Sequence, residues 1–544
     1  MNGPWKFLFA VMLVTLATAF SNASDIYIAQ NATGGNTGAD CADAHAASWF
    51  NSSSNWGNGG IGPGTTAHLC GTISTELTAQ GSGMATAPIT ILFEAGAKIS
   101  LPTCDNNNGC LNISRLSWII VDGGTPCGPG TSCDQSDSGT GIIENTANGT
   151  NLANHVDAVG IMMNGPSCSN CEIRNLILRN FYVYVPNSHD PHNFGVTGAF
   201  FAGGVSGSAF LKIHDLVCHD VRACFSYNPV ANDSGTQVYN FDFYNADGIN
   251  VENNSGSTPI ASLSIHDGHF HDIANWDDAG CPYHHDGIHS WALTGGTSSN
   301  EQVYNNLFDG NFGTCPTGAI FFEGSHSNAS LYNNIFLTTY TQENNGIFNV
   351  NGTGYQVYDN TIVGANRSGD LCFNIGNPGG TASITFENNI VTGCNTLILT
   401  QNNPATKAWD YNVYGGCAPT GCNSDTPFVA NGGSFDSYPT WQSSCSCDTH
   451  SAYGSSTSFA GLSSAGQPQS GSPAINWGAN LTTVGITALE SDTSDGDTIS
   501  PVARPAGVCT VQGQSASCWT IGAFNYGSGS SAPSPPTNLQ ASVN

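Results

Sequence analysis

The amino-acid sequence predicts an all-β fold, a right-handed parallel β-helix: a solenoid with inserted loops and local disulfides. Three observations carry this. Short apolar strands recur at a nearly fixed step, Gly or Asn turns separate them, and no stretch of helical period intervenes. The repeat is plainest in Gln302-Val303-Tyr304-Asn305-Asn306-Leu307-Phe308, Ser330-Leu331-Tyr332-Asn333-Asn334-Ile335-Phe336, Gln356-Val357-Tyr358-Asp359-Asn360-Thr361-Ile362 and Ile384-Thr385-Phe386-Glu387-Asn388-Asn389-Ile390. Read on the second asparagine, at 306, 334, 360 and 388, the steps are 28, 26 and 28 residues.

A second set of strands lies between these: Ala319-Ile320-Phe321-Phe322, Gly346-Ile347-Phe348-Asn349, Leu371-Cys372-Phe373-Asn374 and Leu397-Ile398-Leu399. A unit this small cannot bury its own apolar face, but the next unit stacked about 4.8 Å above it can. The recurring asparagine suits a turn whose side chain bonds its own backbone or the asparagine above. A propeller would need blades of about 40–50 residues with antiparallel hairpins.

Along the chain, Lys6 followed by the apolar run Phe7 to Phe20 reads as an export signal over 1–23, with cleavage after Ala19 or Ala23. Residues 24–89 form an N-terminal strand, Asp25-Ile26-Tyr27-Ile28-Ala29, and a capping region. The coils follow over 90–415, then C-terminal coils and a closing segment over 416–526. A Gly/Ser/Pro linker and tail occupy 527–544, where Pro535 to Ala541 resembles the first strand of a fibronectin type III module.

Composition narrows function. Charged residues are 9% of the chain and the formal charge is −29, because bases are scarce: beyond the signal there are Lys98, Lys212 and Lys407 and six arginines. Nucleic acid needs a basic footprint that this chain lacks. No later segment has the length of a membrane span. The chain is read as a secreted, extracellular monomer. All 20 cysteines follow the signal, many in close pairs: Cys104 and Cys110, Cys127 and Cys133, Cys218 and Cys224, Cys417 and Cys422, Cys509 and Cys518. These read as local disulfides; zinc is the rival, and Cys168 and Cys171 have its local spacing but lack a second pair.

These repeats resemble the right-handed parallel β-helix superfamily that includes pectate lyases and polygalacturonases. The resemblance covers about residues 90 to 415, with weaker coils at Trp118 to Gly124 and Cys171 to Leu178. Gly471 to Asn476, Arg504-Pro505 and Ile521 to Phe524 resemble the closing segment of bacterial members. It implies a carbohydrate-active enzyme with a polysaccharide partner. Asn245-Ala246-Asp247-Gly248 is similar to the Asn-Thr-Asp-Gly segment of polygalacturonases, which implies a catalytic role for Asp247; Asp277-Asp278 resembles their paired aspartates. Their Gly-His-Gly and Arg-Ile-Lys elements are absent. The likeness to lyases implies a basic side chain acting with calcium, for which Lys212 or Arg222 is the candidate.

The chemistry is expected where the repeat is interrupted. Matching Ile265-His266-Asp267 to Tyr304-Asn305-Asn306 gives a step of 39 residues, so roughly a dozen extra residues centre on Ala274 to His284. A disulfide from Cys281 to Cys315 would hold this loop. Asp247-Gly248-Ile249-Asn250-Val251-Glu252 aligns with Asp286 to Trp291 and with Gly318 to Glu323. With the isoleucines inward, Asn250, Glu252, His289, Trp291, Phe321 and Glu323 point outward.

Carboxylates, an imidazole and aromatic rings on one face suit a sugar chain. The expected acid and base are drawn from Asp247, Asp286, Asp277, Asp278 and Glu323, with His285 and His289 beside them. Trp291, Phe321, Glu252, Asn250, Trp276 and Tyr283 form the subsites. Asp215 and Asp267 read as turn caps in the asparagine column. Histidines 266, 269, 271, 284, 285 and 289 suggest a metal, but His285 and His289 stand about 13 Å apart on a strand, so carboxylate-bound calcium is favoured. The glycoside hydrolase needs no cofactor. A calcium-assisted polysaccharide lyase and a non-catalytic adhesin or sugar-binding scaffold are the alternatives.

Overall fold

The computed structural model describes residues 25–147 (without 58 and 106), 158–164, 168–181, 198–205, 210–229, 235–252, 260–273, 285–292, 297–337, 339, 346–376, 383–400, 406–417, 422, 426–430, 433–481 and 518–524. The expected signal over 1–23, the tail over 527–544 and Arg504-Pro505 lie outside these residues.

The chain is a parallel β-helix. Parallel pairing begins at Asp25–Ala29 against Thr66–Cys70 and continues to Val413–Gly415 against Ala452–Gly454, so coils start well upstream of residue 90, where the repeat first becomes readable. Among the described strand pairs only Phe428–Val429 with Phe435–Asp436 runs antiparallel, at the C-terminal end. Each coil contributes to three faces. The first runs through Ile119–Asp122, Ser264–His266, Gln302–Tyr304 and Ser330–Tyr332. His269–His271, Leu307–Asp309 and Ile335–Phe336 belong to the second. The third carries Ile288–Ala292, Ile320–Gly324 and Phe348–Asn351.

The corner between the first and second faces explains the Asn and Asp pattern. Asn175, Asp215, Asn240, Asp267, Asn305, Asn333, Asp359 and Asn388 all take left-handed backbone, with φ from 48° to 60°. Asn and Asp tolerate that region best among residues with a Cβ. The following position carries a buried ladder, Asn306, Asn334, Asn360, Asn389 and Asn412. Each Oδ1 accepts the N–H of the equivalent residue one coil back: Asn306 to Asn334 at 3.2 Å, Asn334 to Asn360 at 3.0 Å, Asn360 to Asn389 at 3.0 Å. Each Nδ2 donates to a carbonyl of a preceding coil, as from Asn334 to Val303 at 2.8 Å and Asn360 to Leu331 at 2.9 Å.

Two expected matches shift by one residue. Tyr358 pairs with Glu387, so Asn388 takes the left-handed corner and Asn389, not Asn388, continues the ladder. Ile265 pairs with Val303 and His266 with Tyr304, a step of 38. Asp267 and Asp215 therefore sit at the corner beside the ladder rather than in it, and Gly268 N–H meets Asn306 Oδ1 at 3.0 Å.

The interior is filled by like residues in register. Phe270, Phe308 and Phe336 stack with ring centroids 4.7 and 4.6 Å apart. Tyr239, His266, Tyr304 and Tyr332 stack along the outside of the first face at 4.6–5.0 Å. Of the expected disulfides, Cys104–Cys110, Cys127–Cys133, Cys218–Cys224 and Cys417–Cys422 form. Cys168 and Cys171 pair with each other, which removes the zinc reading there. Cys315 and Cys518 are disulfide-bonded, while Cys281 and Cys509 lie outside the described residues.

Stacking in register also sets like charges together. Glu387 pairs in register with Asp410, and burial together with that carboxylate pushes Glu387 up to about 7. The folded state then holds a proton that the unfolded chain releases near its ordinary ~4.3, so this residue costs stability as pH rises from about 4.3 to 7. Glu387→Gln should therefore raise the denaturation midpoint at pH 8 and leave it nearly unchanged at pH 4; equal shifts at both values would show that Glu387 titrates normally.

Candidate active site

The register on the third face is the expected one. Ile249 pairs with Ile288 and Ile288 with Ile320, while Asn250, His289 and Phe321 form one column and Glu252, Trp291 and Glu323 the next. Ile249, Val251, Ile288, Ser290, Ile320 and Phe322 fill the interior, so both columns point outward. Outward does not mean exposed. Asn250, His289 and Phe321 are no more than 9% exposed. Rings of its own and the next coil cover His289: it lies 4.4 Å from Trp291 on the same strand and 4.7 Å from the Phe321 ring one rung away. Glu252, Trp291 and Glu323 are half-buried and form the reachable edge.

Asp247 and Asp286 mark successive coils at the entrance to this face. Asp247 Oδ1 accepts Asp286 N–H at 3.0 Å, and Asp286 Oδ1 accepts the N–H groups of Thr317 and Gly318 at 2.9 and 2.7 Å. Each carboxylate thus closes the turn of the next coil. The glycine after each aspartate is required by the same closeness: a Cβ on Gly248 would stand 2.1 Å from the Gly287 carbonyl. Asp286 is fully buried. Its Oδ1 is committed to the turn of the next coil, and its Oδ2 faces His289.

The remaining oxygen of Asp247 meets Arg222 and the Asn250 amide, the latter at 3.0 Å. Burial alone would raise the Asp247 carboxyl, but Arg222, Asn250 and the Asp286 N–H outweigh it and hold it below the usual carboxylate value. Arg222 and Asp247, assigned by the sequence to two different chemistries, are one ion pair. A buried carboxylate kept ionised is a poor general acid, and its ion pair with Arg222 ties two coils at the edge of the face. His285 is likewise structural: it is buried, with Nε2 3.1 Å from the Phe312 carbonyl.

Beneath the reachable edge, His289 stands between Asp286 and Glu323. His289 Nδ1 stands 3.8 Å from Asp286 Oδ2 and Nε2 3.6 Å from Glu323 Oε2. Glu323 is the most open of these, its side chain 40% exposed. Burial raises the Glu252 carboxyl above its ordinary value, against the opposing pull of His289 and the Trp291 indole N–H. Glu252, expected as a sugar-binding group, is thus the carboxyl whose surroundings favour the protonated form.

The sequence missed the group that positions Glu323. Inside the coil Ser290 Oγ donates to Glu301 at 2.8 Å; the other oxygen of Glu301 meets His326 Nδ1 at 2.8 Å, and His326 Nε2 meets the Glu323 carbonyl at 3.0 Å. A fully buried Glu–His pair inside an apolar coil is costly unless every atom is bonded, and here it fixes the backbone that carries Glu323. Its only signal in sequence is a Glu and a His flanking strands of otherwise apolar repeats.

No protein-family model and no curated protein matches the chain. Among solved structures it is similar to pectate lyase Pel9A, with 13% identity over 93% of this chain and 98% of that one and a TM-score of 0.39. It is similar also to XylC in complex with xylose (10% identity, 75% of this chain and 86% of that one, TM-score 0.35). A third is a GH136 lacto-N-biosidase from Eubacterium ramulus (14% identity, 75% and 66%, TM-score 0.34).

Trp276, Asp277, Asp278 and Tyr283 of the inserted loop, with His284, lie outside the described residues. Lys212 opens the strand Lys212–Pro229 on the first face, opposite Glu172, and two left-handed turns at Asp215 and Asp220 separate it from Arg222. The two bases do not share a site. Nor do the histidines converge as one group: His266 belongs to the stack with Tyr239 and Tyr304, and His289 to the third face. His269 and His271, by contrast, share Asp242. Among the described residues no helix is long and apolar enough to cross a membrane.

Proposed function

We propose that this chain is a secreted carbohydrate-active enzyme, a glycoside hydrolase that cleaves a polysaccharide by carboxylate acid–base catalysis on the third face. One observation carries the reading. Glu252 and Glu323 occupy the same outward column, two rungs apart, on either side of Trp291. Two rungs are about 9.6 Å of backbone separation. Inverting glycosidases hold their two carboxyl groups ~6.5–9.5 Å apart to leave room for a water, whereas retaining enzymes need ~5–5.5 Å. Glu252, raised by burial, is the general acid; Glu323, more open and 3.6 Å from His289, is the base that draws a proton from water. Trp291 offers a ring to an apolar sugar face between them.

The test is turnover of neutral and acidic polysaccharides, with reducing ends and near-ultraviolet absorbance followed together, beside Trp291→Ala. New reducing ends without absorbance, released as the inverted anomer, are the expected result, with Trp291→Ala raising KM by roughly tenfold from loss of uniform binding. Absorbance that grows with the reducing ends would instead mark an unsaturated product and a lyase; with Arg222 paired to Asp247, Lys212 would then be the candidate base.

A further inference from the structure

The second face changes character over two coils. Its outward column reads Ile142, Ile177, Val217, Asp242, His269, Leu307 and Ile335 in strand register. The first three are packed under Cys127 and Cys133, and the last two under Ala523 and Phe524. Asp242 and His269 fall between the two covers, and His271, in the neighbouring column, turns to join them.

We propose that Asp242, His269 and His271 form a binding site for one divalent transition-metal ion of the zinc class. Asp242 Oδ1 lies 3.2 Å from His269 Nδ1 and 3.2 Å from His271 Nε2, and the three atoms all lie within 4.8 Å of one another. Ligands about 2.0–2.1 Å from a tetrahedral zinc ion stand roughly 3.3 Å apart, close to these separations. The carboxylate oxygen is buried, with a nitrogen of each ring beside it.

The outer contacts have the form metal-bound histidines require. His269 Nε2 meets Asp309 Oδ1 at 2.8 Å, and His271 Nδ1 meets Asp272 Oδ2 at 2.9 Å. Asp272 is itself held, its other oxygen accepting Asn311 N–H at 2.9 Å. A carboxylate on the far nitrogen of each ring sets the tautomer that frees the near nitrogen for a cation. Two imidazoles and one carboxylate favour zinc, cobalt, nickel or copper over calcium or magnesium, which prefer oxygen alone. The ion would tie two successive coils, and Asp272 lies two residues before the inserted loop in sequence.

Tag-free protein stripped with a chelator should bind one equivalent of zinc by calorimetry, and cobalt should give the visible absorption of a low-coordinate nitrogen–oxygen site that added zinc abolishes and calcium does not. His271→Ala, at a partly exposed position, should abolish the cobalt spectrum with the far-ultraviolet circular dichroism unchanged. Asp309→Asn should weaken zinc binding by about 10–100-fold. His289→Ala should leave the stoichiometry at one. Absence of stoichiometric zinc binding in the wild type, or a cobalt spectrum unaltered in His271→Ala, overturns the site.

Discussion

Glu323→Gln and Glu252→Gln should each lower kcat on the responsive polysaccharide by about 10²–10⁴-fold, the range of general acid–base catalysis. They should fail differently. The acid is needed only where the leaving oxygen requires a proton, so Glu252→Gln should retain most activity on a glycoside with an activated aryl leaving group. Glu323→Gln should not, because the water still has to be deprotonated. The pH profiles separate them again. Burial raises the Glu252 carboxyl, keeping it protonated to higher pH than an ordinary glutamate, so it sets the falling alkaline limb of kcat. That limb should vanish in Glu252→Gln. If both variants stay within about threefold of wild type on every substrate, the column is not catalytic and the sugar-binding scaffold takes its place.

The fold was legible because stacking forces equivalent positions to carry equivalent residues. Tyr304, Tyr332 and Tyr358 repeat because each covers the next, and the alignment of Asp247 with Asp286 and of Glu252 with Trp291 and Glu323 survives in the pairing. Adjacent asparagines were harder to separate. Asn388 and Asn389 differ in role only through the backbone at 388, and sequence does not distinguish a left-handed Asn from a ladder Asn.

The chemistry was only partly legible, for a related reason. Alternation tells which way a side chain points but not what lies over it, so His289, outward, is nonetheless covered by rings from its own and the next coil. Asp247 was drawn toward catalysis by a family resemblance and Asp286 by its alignment with Asp247, whereas one oxygen of each accepts backbone N–H groups of the next coil. Partners that come from other coils, such as Asp242 with His269, are separated by a whole repeat and leave no local pattern.

Asn360→Leu tests what holds the corner between the first and second faces. Asn360 is fully buried, and leucine has nearly its size, so packing changes little while the polar bonds go. Its Oδ1 accepts from the N–H and the side chain of Asn334, and its Nδ2 donates to Leu331, Tyr358 and Asn389. The variant strands at least the Asn334 N–H and the Leu331 carbonyl in a site that excludes water. Each unsatisfied buried group costs about 1–3 kcal/mol, so a loss on the order of 3–5 kcal/mol is expected. The exposed Gln356→Ala, on the strand just before it, should stay within about 0.5 kcal/mol. Because each coil touches only its neighbours, the loss should also split the transition, and amide protection should fall first between residues 330 and 390 rather than uniformly. A uniform fall would mean that the coils unfold as one unit, and a loss no larger than that of Gln356→Ala would mean that the side-chain ladder decorates a stack already held by its strands.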